Sequence, residues 1–322
     1  MIARAAALLL MLLGTGARAA SDDASRQLQN LLYYPHAGRF RATGQFTFSV
    51  QDSGSVDNQF GVETTAKSTS YQKGAATLAY GIVDGVRAAV SEGGLIDQHL
   101  QSTNQNTGAV SGADARGLSD PTFTLTGRFL EAADDGFSAD AAAAFTPPLG
   151  RARTAGNGQS ANDLAGGWSA SVSVPVYYRL HTDGHANEFE LAPAVTRSFG
   201  SVASGTGDAL SILTSSEWIG SLAFSNRFHV NDSWYVQPGL TMTMPYTNRT
   251  APQTAGAGDT FHKTAYNAAP NFHVGFLPES WLLLDASVSY SAQGITDYPP
   301  VAAYNYNQTQ QTFCELEFQA TF

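Results

Sequence analysis

The sequence predicts an all-β fold: a closed antiparallel β-barrel of about twelve strands that crosses a membrane. Three observations predict it. Apolar and polar residues alternate over barrel-length segments along the 322-residue chain, and in a strand alternate side chains point to opposite faces. Short turn-forming connections and long polar ones alternate strictly, as a barrel with one short-turn rim and one long-loop rim requires. Beyond residue 19 no apolar run approaches the ~18 residues of a membrane helix, so a membrane crossing has to be made by strands.

The N-terminus reads as an export leader. Arg4 supplies a positive charge, residues 5–13 an apolar core, and Ala17-Arg18-Ala19 a small-residue cleavage site. The core is too short to span a bilayer as a helix. Three segments follow: a signal peptide over 1–19, an N-terminal segment over 20–39 that is a candidate plug of the pore, and the barrel over 40–322. The leader's loss of Arg4 and Arg18 takes the formal charge from −10 to −12 (15 basic, 27 acidic).

The clearest strands come at 40–50, 168–180 and 234–244. In the first, Phe40, Ala42, Gly44, Phe46, Phe48 and Val50 share one face and Arg41, Thr43, Gln45, Thr47 and Ser49 the other. In the second, Trp168, Val172, Val174, Tyr178 and Leu180 oppose Ser169, Ser171, Ser173, Tyr177 and Arg179. In the third, Trp234, Val236, Leu240, Met242 and Met244 oppose Gln237, Thr241 and Thr243. Weaker alternation marks 69–81, 85–92, 119–130, 136–146, 186–198, 217–229, 265–277 and 281–292. The chain ends on a twelfth, with Cys314, Leu316, Phe318, Ala320 and Phe322 facing one way and Glu315, Glu317, Gln319 and Thr321 the other. A strand of ~11 residues rising ~3.3 Å each and tilted ~45° covers ~25 Å, the height of an apolar membrane band. Trp168, Tyr178, Trp218, Phe228, Trp234, Tyr246, Tyr290 and Phe322 stand near strand ends, where an interfacial aromatic girdle belongs.

Short connections fall at Val83-Asp84, at 132–135, at Thr182-Asp183-Gly184, at Asn231-Asp232 and at Pro278-Glu279, all turn chemistry. Long loops are expected at 51–67, 93–117, 147–165, 199–215, 246–263 and 293–310. Pro175, Pro193, Pro238 and Pro270 fall inside expected strands, where each removes a ladder hydrogen bond and calls for a bulge or a shorter strand.

Composition excludes several functions. A chain this acidic does not suit nucleic acid, and the single Cys314 allows neither an intramolecular disulfide nor a cysteine-based metal cluster. No G-x-S-x-G, H-E-x-x-H or P-loop is present, so no catalytic residue is assigned and no cofactor or metal is expected. His181 and His185 flank Asp183-Gly184 and read as the bracket of a hairpin turn rather than a metal clip. The stretch 52–57 begins and ends on Asp but lacks the bidentate Glu of a calcium loop, and reads as a surface loop.

The inward stripe carries the candidate site. Arg41, Arg87, Arg128, Arg179 and Arg227 project inward within a few residues of the short-turn end. Glu188, Glu190 and Asp285 lie near the same level, and Glu315 and Glu317 face inward on the last strand. Two compatible readings follow: a charged constriction that filters solutes, and cross-strand ion pairs such as Arg179 with Glu188 that tie the barrel mouth together. Elsewhere the stripe is small and hydroxylated, including Thr122, Thr124, Thr126, Ser169, Ser171, Ser173, Ser221, Ser225, Thr241, Thr243, Ser287 and Ser289. Such a wall leaves room for water or solute.

Two resemblances sharpen this. The C-terminal strand resembles the closing strand of bacterial outer-membrane β-barrels, whose terminal Phe is read by the assembly machinery; Phe318 and Phe322 are the implied signal. Tyr80-Gly81-Ile82-Val83-Asp84, then Gly117-Leu118-Ser119-Asp120 before 123–129, then Phe145-Thr146-Pro147-Pro148-Leu149-Gly150, resemble the turn motifs of outer-membrane proteins labelled as the meta-pathway of phenol degradation. Ser119 and Leu149 depart from that pattern, at positions where the family has Gly and Thr. The resemblance implies an outer-membrane location, outer-membrane lipid and the barrel assembly machinery as partners, and a channel for small aromatic or hydrophobic solutes. A barrel enzyme acting on lipid, or a barrel presenting its loops for adhesion, are the other classes such a fold serves. The sequence fixes no oligomeric state.

Overall fold

A computed structural model describes residues 33, 35–57, 62–132, 135–149, 167–182, 185–204, 211–250, 260–295 and 305–322. The expected leader and residues 20–32 lie outside the described residues, as does most of the 147–165 connection.

Fourteen strand segments are described: β1 (Phe40–Asp57), β2 (Val62–Val83), β3 (Val86–Asn104), β4 (Val110–Leu118), β5 (Thr122–Leu130), β6 (Gly136–Thr146), β7 (Gly167–Ser173), β8 (Val176–Thr182), β9 (His185–Ser204), β10 (Ser211–His229), β11 (Trp234–Thr250), β12 (Thr260–Glu279), β13 (Leu282–Ile295) and β14 (Asn305–Thr321). Both β4 and β5 pair with β3, and both β7 and β8 pair with β6 and β9, so each couple is one interrupted staple of the wall. Fourteen segments therefore make twelve wall strands, all antiparallel to their neighbours. The ring closes where β14 pairs with β1, from Arg41 opposite Thr321 to Asp57 opposite Asn305.

The expected alternation is present. Phe46, Phe48, Leu125, Val172, Val195, Phe224, Met242, Phe272, Val288 and Leu316 are exposed on the outside, an apolar face that water would not tolerate and lipid would. Aromatic ring contacts mark the short-turn end: Phe40 lies 4.8 Å from Tyr80 and 5.9 Å from Phe322, and Trp234 lies 4.3 Å from Phe276. Phe145 and Trp168, 6.5 Å apart, mark the other end. Cys314 is exposed on the outer face, as its register between Phe48 and Val288 dictates.

Four expectations need correction. The strands run well past the apolar band: β2 has 22 residues and β12 has 20, so much of the expected loops at 51–67, 93–117, 199–215, 246–263 and 293–310 is ladder. Polar sequence had marked these as loops, but paired backbone needs only a partner strand, and each long strand has one. For the same reason the stretch 52–57 is not a surface loop; Asp52 and Asp57 sit in the β1 ladder opposite Gln310 and Asn305. The strand expected at 119–130 begins at Thr122, after a break at Ser119-Asp120-Pro121, with β4 lying in the expected loop. The strand expected at 168–180 breaks at Val174-Pro175.

The prolines explain this last break. Val174 N–H donates to Pro193 O at 3.1 Å, and Asp140 N–H donates to Pro175 O at 3.0 Å. Two residues without N–H thus share one gap in the wall, where their missing donors cost little. Pro238 faces Asn226 across a gap in the β10–β11 ladder, between Ser225–Gly239 and Phe228–Val236. Pro270 coincides with a gap in the β12–β13 ladder, between Ala268–Ala292 and Asn271–Ser289.

Candidate functional site: a charged belt at the short-turn end of the lumen

All five expected arginines lie on inward positions of the short-turn half, but their partners differ. Arg128 Nε donates to Asp140 Oδ1 at 2.9 Å across the β5–β6 ladder, and its Nη1 reaches Glu131 at 3.3 Å. The pair is deeply buried, with Arg128 7% and Asp140 2% exposed in their side chains. Arg179 donates from Nε and Nη2 to Glu188 Oε1 at 3.0 and 2.8 Å across the β8–β9 hairpin. The other oxygen of Glu188 lies 3.3 Å from His229 Nε2 on β10. The cross-strand pairing anticipated for Arg179 and Glu188 is thus present in the geometry.

Arg227 behaves differently. Its Nε donates to Gln237 Oε1 at 2.7 Å, and its guanidinium sits 3.9 Å from the Tyr235 ring centroid, a cation–π contact. The Tyr235 hydroxyl donates to Asp285 Oδ2 at 2.6 Å, and Asp285 Oδ1 lies 2.9 Å from His273 Nδ1. One carboxylate therefore ties three strands, β11, β12 and β13. Ser287 stands opposite His273 in the ladder, but among the described residues no hydrogen bond joins the two, so this is not an assembled nucleophile–base pair. Arg41 lies over the Tyr33 ring at 5.8 Å, and Arg87 faces Gly81 and Thr126 in its two ladders.

Of the remaining acids, Glu190 shares β9 with Glu188, while Glu315 and Glu317 lie on β14 in another sector. Glu190 accepts from Ser225 Oγ at 3.1 Å, and Glu315 accepts from Thr47 Oγ1 at 3.2 Å. Glu317 accepts from Gln319 and is the direct cross-strand partner of Asp285. Above this belt, on β1, β2 and β14, Gln311 Nε2 donates to Ser49 Oγ at 2.9 Å and to the Tyr71 hydroxyl at 2.7 Å. Tyr71 also meets Phe313 edge-on at 6.5 Å and Lys73 Nζ at 4.5 Å.

Near the end of β8, His181 holds Asp135: its backbone N–H donates to Asp135 Oδ1 at 2.9 Å and its Nδ1 lies 2.7 Å from the same oxygen. These hydrogen bonds hold the Asp135 carboxyl below the usual carboxylate range. The His185 side chain lies outside what is described. No group of three metal-ligating side chains occurs among the described residues.

Sequence reasoning missed Asp140, His229, Tyr235 and His273. Asp140 had a visible signal, a lone charge within the 136–146 alanine-rich segment. His229, Tyr235 and His273 fall on inward positions of expected strands and were legible as lumen-facing, but only the register brings them to Glu188 and Asp285. Phe318 and Phe322 lie at the closing seam. The Phe318 ring covers Gly44, Phe322 stacks on Phe40, and Phe40 and Phe322 exchange backbone hydrogen bonds at 2.9 and 3.1 Å.

No family model matches the chain, and no curated protein matches it in sequence. The structure is similar to a COG4313 outer membrane channel from Pseudomonas putida F1, with a TM-score of 0.56 at 15% identity, over 90% of this chain and 97% of that one. It is also similar to the transport unit of the autotransporter AIDA-I from Escherichia coli, with a TM-score of 0.52 at 9% identity, over 91% of this chain and 93% of that one. At such identities the likeness bears on fold alone, and the fold is that of an outer-membrane β-barrel.

Proposed function

We propose that this protein is an outer-membrane channel that passes small solutes through its lumen. The supporting observation is the distribution of apolar residues inside the barrel. Among the described residues the buried apolar cluster is Tyr33, Tyr235, Leu277 and Leu283, all at the short-turn end. The wall beyond it is mostly small, hydroxylated or charged, with Tyr71, Leu95 and Phe313 as larger exceptions, which suits a water-filled pore better than a packed interior. In this reading the leader exports the chain, the C-terminal strand with Phe318 and Phe322 presents it to the assembly machinery, and the short-turn end faces the periplasm. The belt of Arg41, Arg87, Arg128, Arg179 and Arg227 with Glu188, Glu190, Asp285, Glu315 and Glu317 is the constriction.

Small aromatic compounds are the solute class implied by the resemblance to the phenol meta-pathway family. Phe313, edge-on to the buried Tyr71 on the lumen wall, offers a ring against which a planar solute can rest. The test is liposome swelling with sugars and with small aromatic acids, alongside single-channel conductance. Solute entry with discrete conductance steps is expected. Heat-modifiable barrels that admit neither solute would end the channel reading, and phospholipid turnover in the same vesicles would replace it with the lipid-acting one.

A further inference from the structure

We infer that the outer surface of β7, β9 and β10 carries a binding site for a phosphorylated, acylated glycolipid of the outer leaflet, with Arg197 holding a phosphate and a notch at Gly220 seating an acyl chain. The inference rests on which end of the barrel faces outward and is independent of whether the lumen conducts. Along β9, Glu188 and Glu190 face the lumen while Leu191 and Val195 are exposed on the outside, and position 197 continues the outer series. Its ladder partners are Trp218 of β10, exposed on the outer face, and Ala170 of β7, between the exposed Trp168 and Val172. The guanidinium lies 4.4 Å from the Trp218 ring centroid, a cation–π contact that keeps the side chain on that face. Among the described residues, Arg197 is the one arginine or lysine on the outer face of the wall.

A charge on the lipid face is costly at the bilayer midplane and tolerated near an interface. With ~3.3 Å per residue and a ~45° tilt, the ~12 residues from His185 to Arg197 climb ~28 Å from the short-turn end, about the height of a ~25 Å apolar band. Trp218 stands at this level and Trp168 one step beyond it, where an interfacial girdle belongs. Short turns of an outer-membrane barrel face the periplasm and long connections the exterior, so Arg197 meets the headgroups of the outer leaflet. Lipopolysaccharide presents phosphates there. Arginine suits such a partner, because its planar fork donates two parallel N–H groups to phosphate oxygens while its face stays on an indole.

A second feature lies directly below, toward the midplane. Gly220 is the next outward position of β10 after Trp218, and its ladder partners are Val195 of β9 and Met244 of β11. A Cβ built on Gly220 meets nothing within 4 Å, so the site opens onto the lipid side. Its φ is not among the positive ones, so no turn demands a glycine there. A glycine inside a strand forgoes packing and marks a place where another molecule can approach the backbone. Val195 and Met244 are exposed on either side of it, and together they make a notch one residue wide. A phosphate held by Arg197 leaves an acyl chain free to descend past Trp218 into this notch, between the two apolar side chains. Headgroup and chain are thus recognised by adjacent positions of the same two strands.

The test is native mass spectrometry of the folded barrel in detergent, titrated with bis-phosphorylated lipid A and, separately, with dephosphorylated lipid A. The unmodified protein is expected to retain one bis-phosphorylated lipid A and to bind the dephosphorylated form several-fold more weakly, a comparison that needs no variant. Variants are first checked for the heat-dependent gel shift of a closed barrel. Arg197→Ala is expected to lower binding of the phosphorylated lipid several-fold and to leave the dephosphorylated one unchanged, with Arg197→Lys in between. Gly220→Leu fills the notch and is expected to weaken both lipids. Equal retention of the two lipids by the unmodified protein, or of the phosphorylated lipid by the unmodified protein and Arg197→Ala, overturns the phosphate site. Phosphatidic acid retained as well as lipid A overturns the assignment to a glycolipid. Unchanged binding in Gly220→Leu overturns the acyl seat and leaves the phosphate contact standing.

Discussion

Arg128 and Asp140 sit opposite each other because β5 and β6 are joined by a short turn that fixes their register, and the sequence places Arg128 inward without naming its partner. Their burial makes the pair sensitive to half-removal. A charge left alone in that position has lost its solvent and its counter-ion together, whereas replacing both with apolar groups removes the need for either. Asp140→Ala is expected to destabilise the barrel by about 3 kcal/mol, and Arg128→Met with Asp140→Leu to recover most of it. Urea midpoints of the heat-modifiable form in detergent measure both. Equal loss in the single and the double variant would mean that Asp140 acts through packing and not through its charge. The five arginines were legible because alternation alone decides which face a residue takes. Their pairing was not, because it depends on the relative shift of neighbouring strands, which a linear pattern does not carry.

At the scale of elements, the closing strand shows how a seam is sealed. Gly44 on β1 leaves a flat patch of backbone on the outer face, and the Phe318 ring of β14 lies over it; a Cβ at Gly44 would overlap that ring. An aromatic covering a cross-strand glycine protects the ladder beneath it and pins the register. Gly44→Ala is therefore expected to cost about 1–3 kcal/mol by overpacking, while in a Phe318→Ala background the same change is expected to be close to neutral. The folded fraction by gel shift, measured across this double-mutant cycle, checks it. Additive effects of the two changes would show that the ring does not depend on the glycine. Strand count, order and facing were legible because the period of two survives wherever one face meets lipid. Strand ends were not: beyond the apolar band both faces are wet, the alternation fades, and only the neighbouring strand shows that the ladder continues. The breaks at Pro121 and Pro175 followed the same logic in reverse, since one missing N–H is visible in sequence but the gap it shares with a neighbouring Pro193 is not.

For the whole molecule, the net charge of −10 says little about the lumen, because inside the barrel ion pairs and carboxylate-rich stretches fall on different sides. Arg128 and Arg179 spend their charge on Asp140 and Glu188. On the opposite sector Asp285, Glu315 and Glu317 are held by Tyr235, His273, Thr47 and Gln319, with Arg41 on the adjoining β1. On the channel reading proposed above, a solute on the lumen axis meets compact dipoles on one side and acceptor-rich carboxylates on the other, which favours cations. The Debye length is about 10 Å at 0.1 M salt and about 3 Å at 1 M, so wall charges reach the axis of a narrow pore only in dilute salt. The pore is expected to show a cation-selective reversal potential at about 0.1 M, to lose most of it in Glu315→Gln with Glu317→Gln, and to give the same value for both forms at about 1 M. Reversal potentials in planar bilayers under a fixed salt ratio measure this. An unchanged potential in the double variant at low salt would place these carboxylates off the ion path and leave the arginine side of the belt to set selectivity.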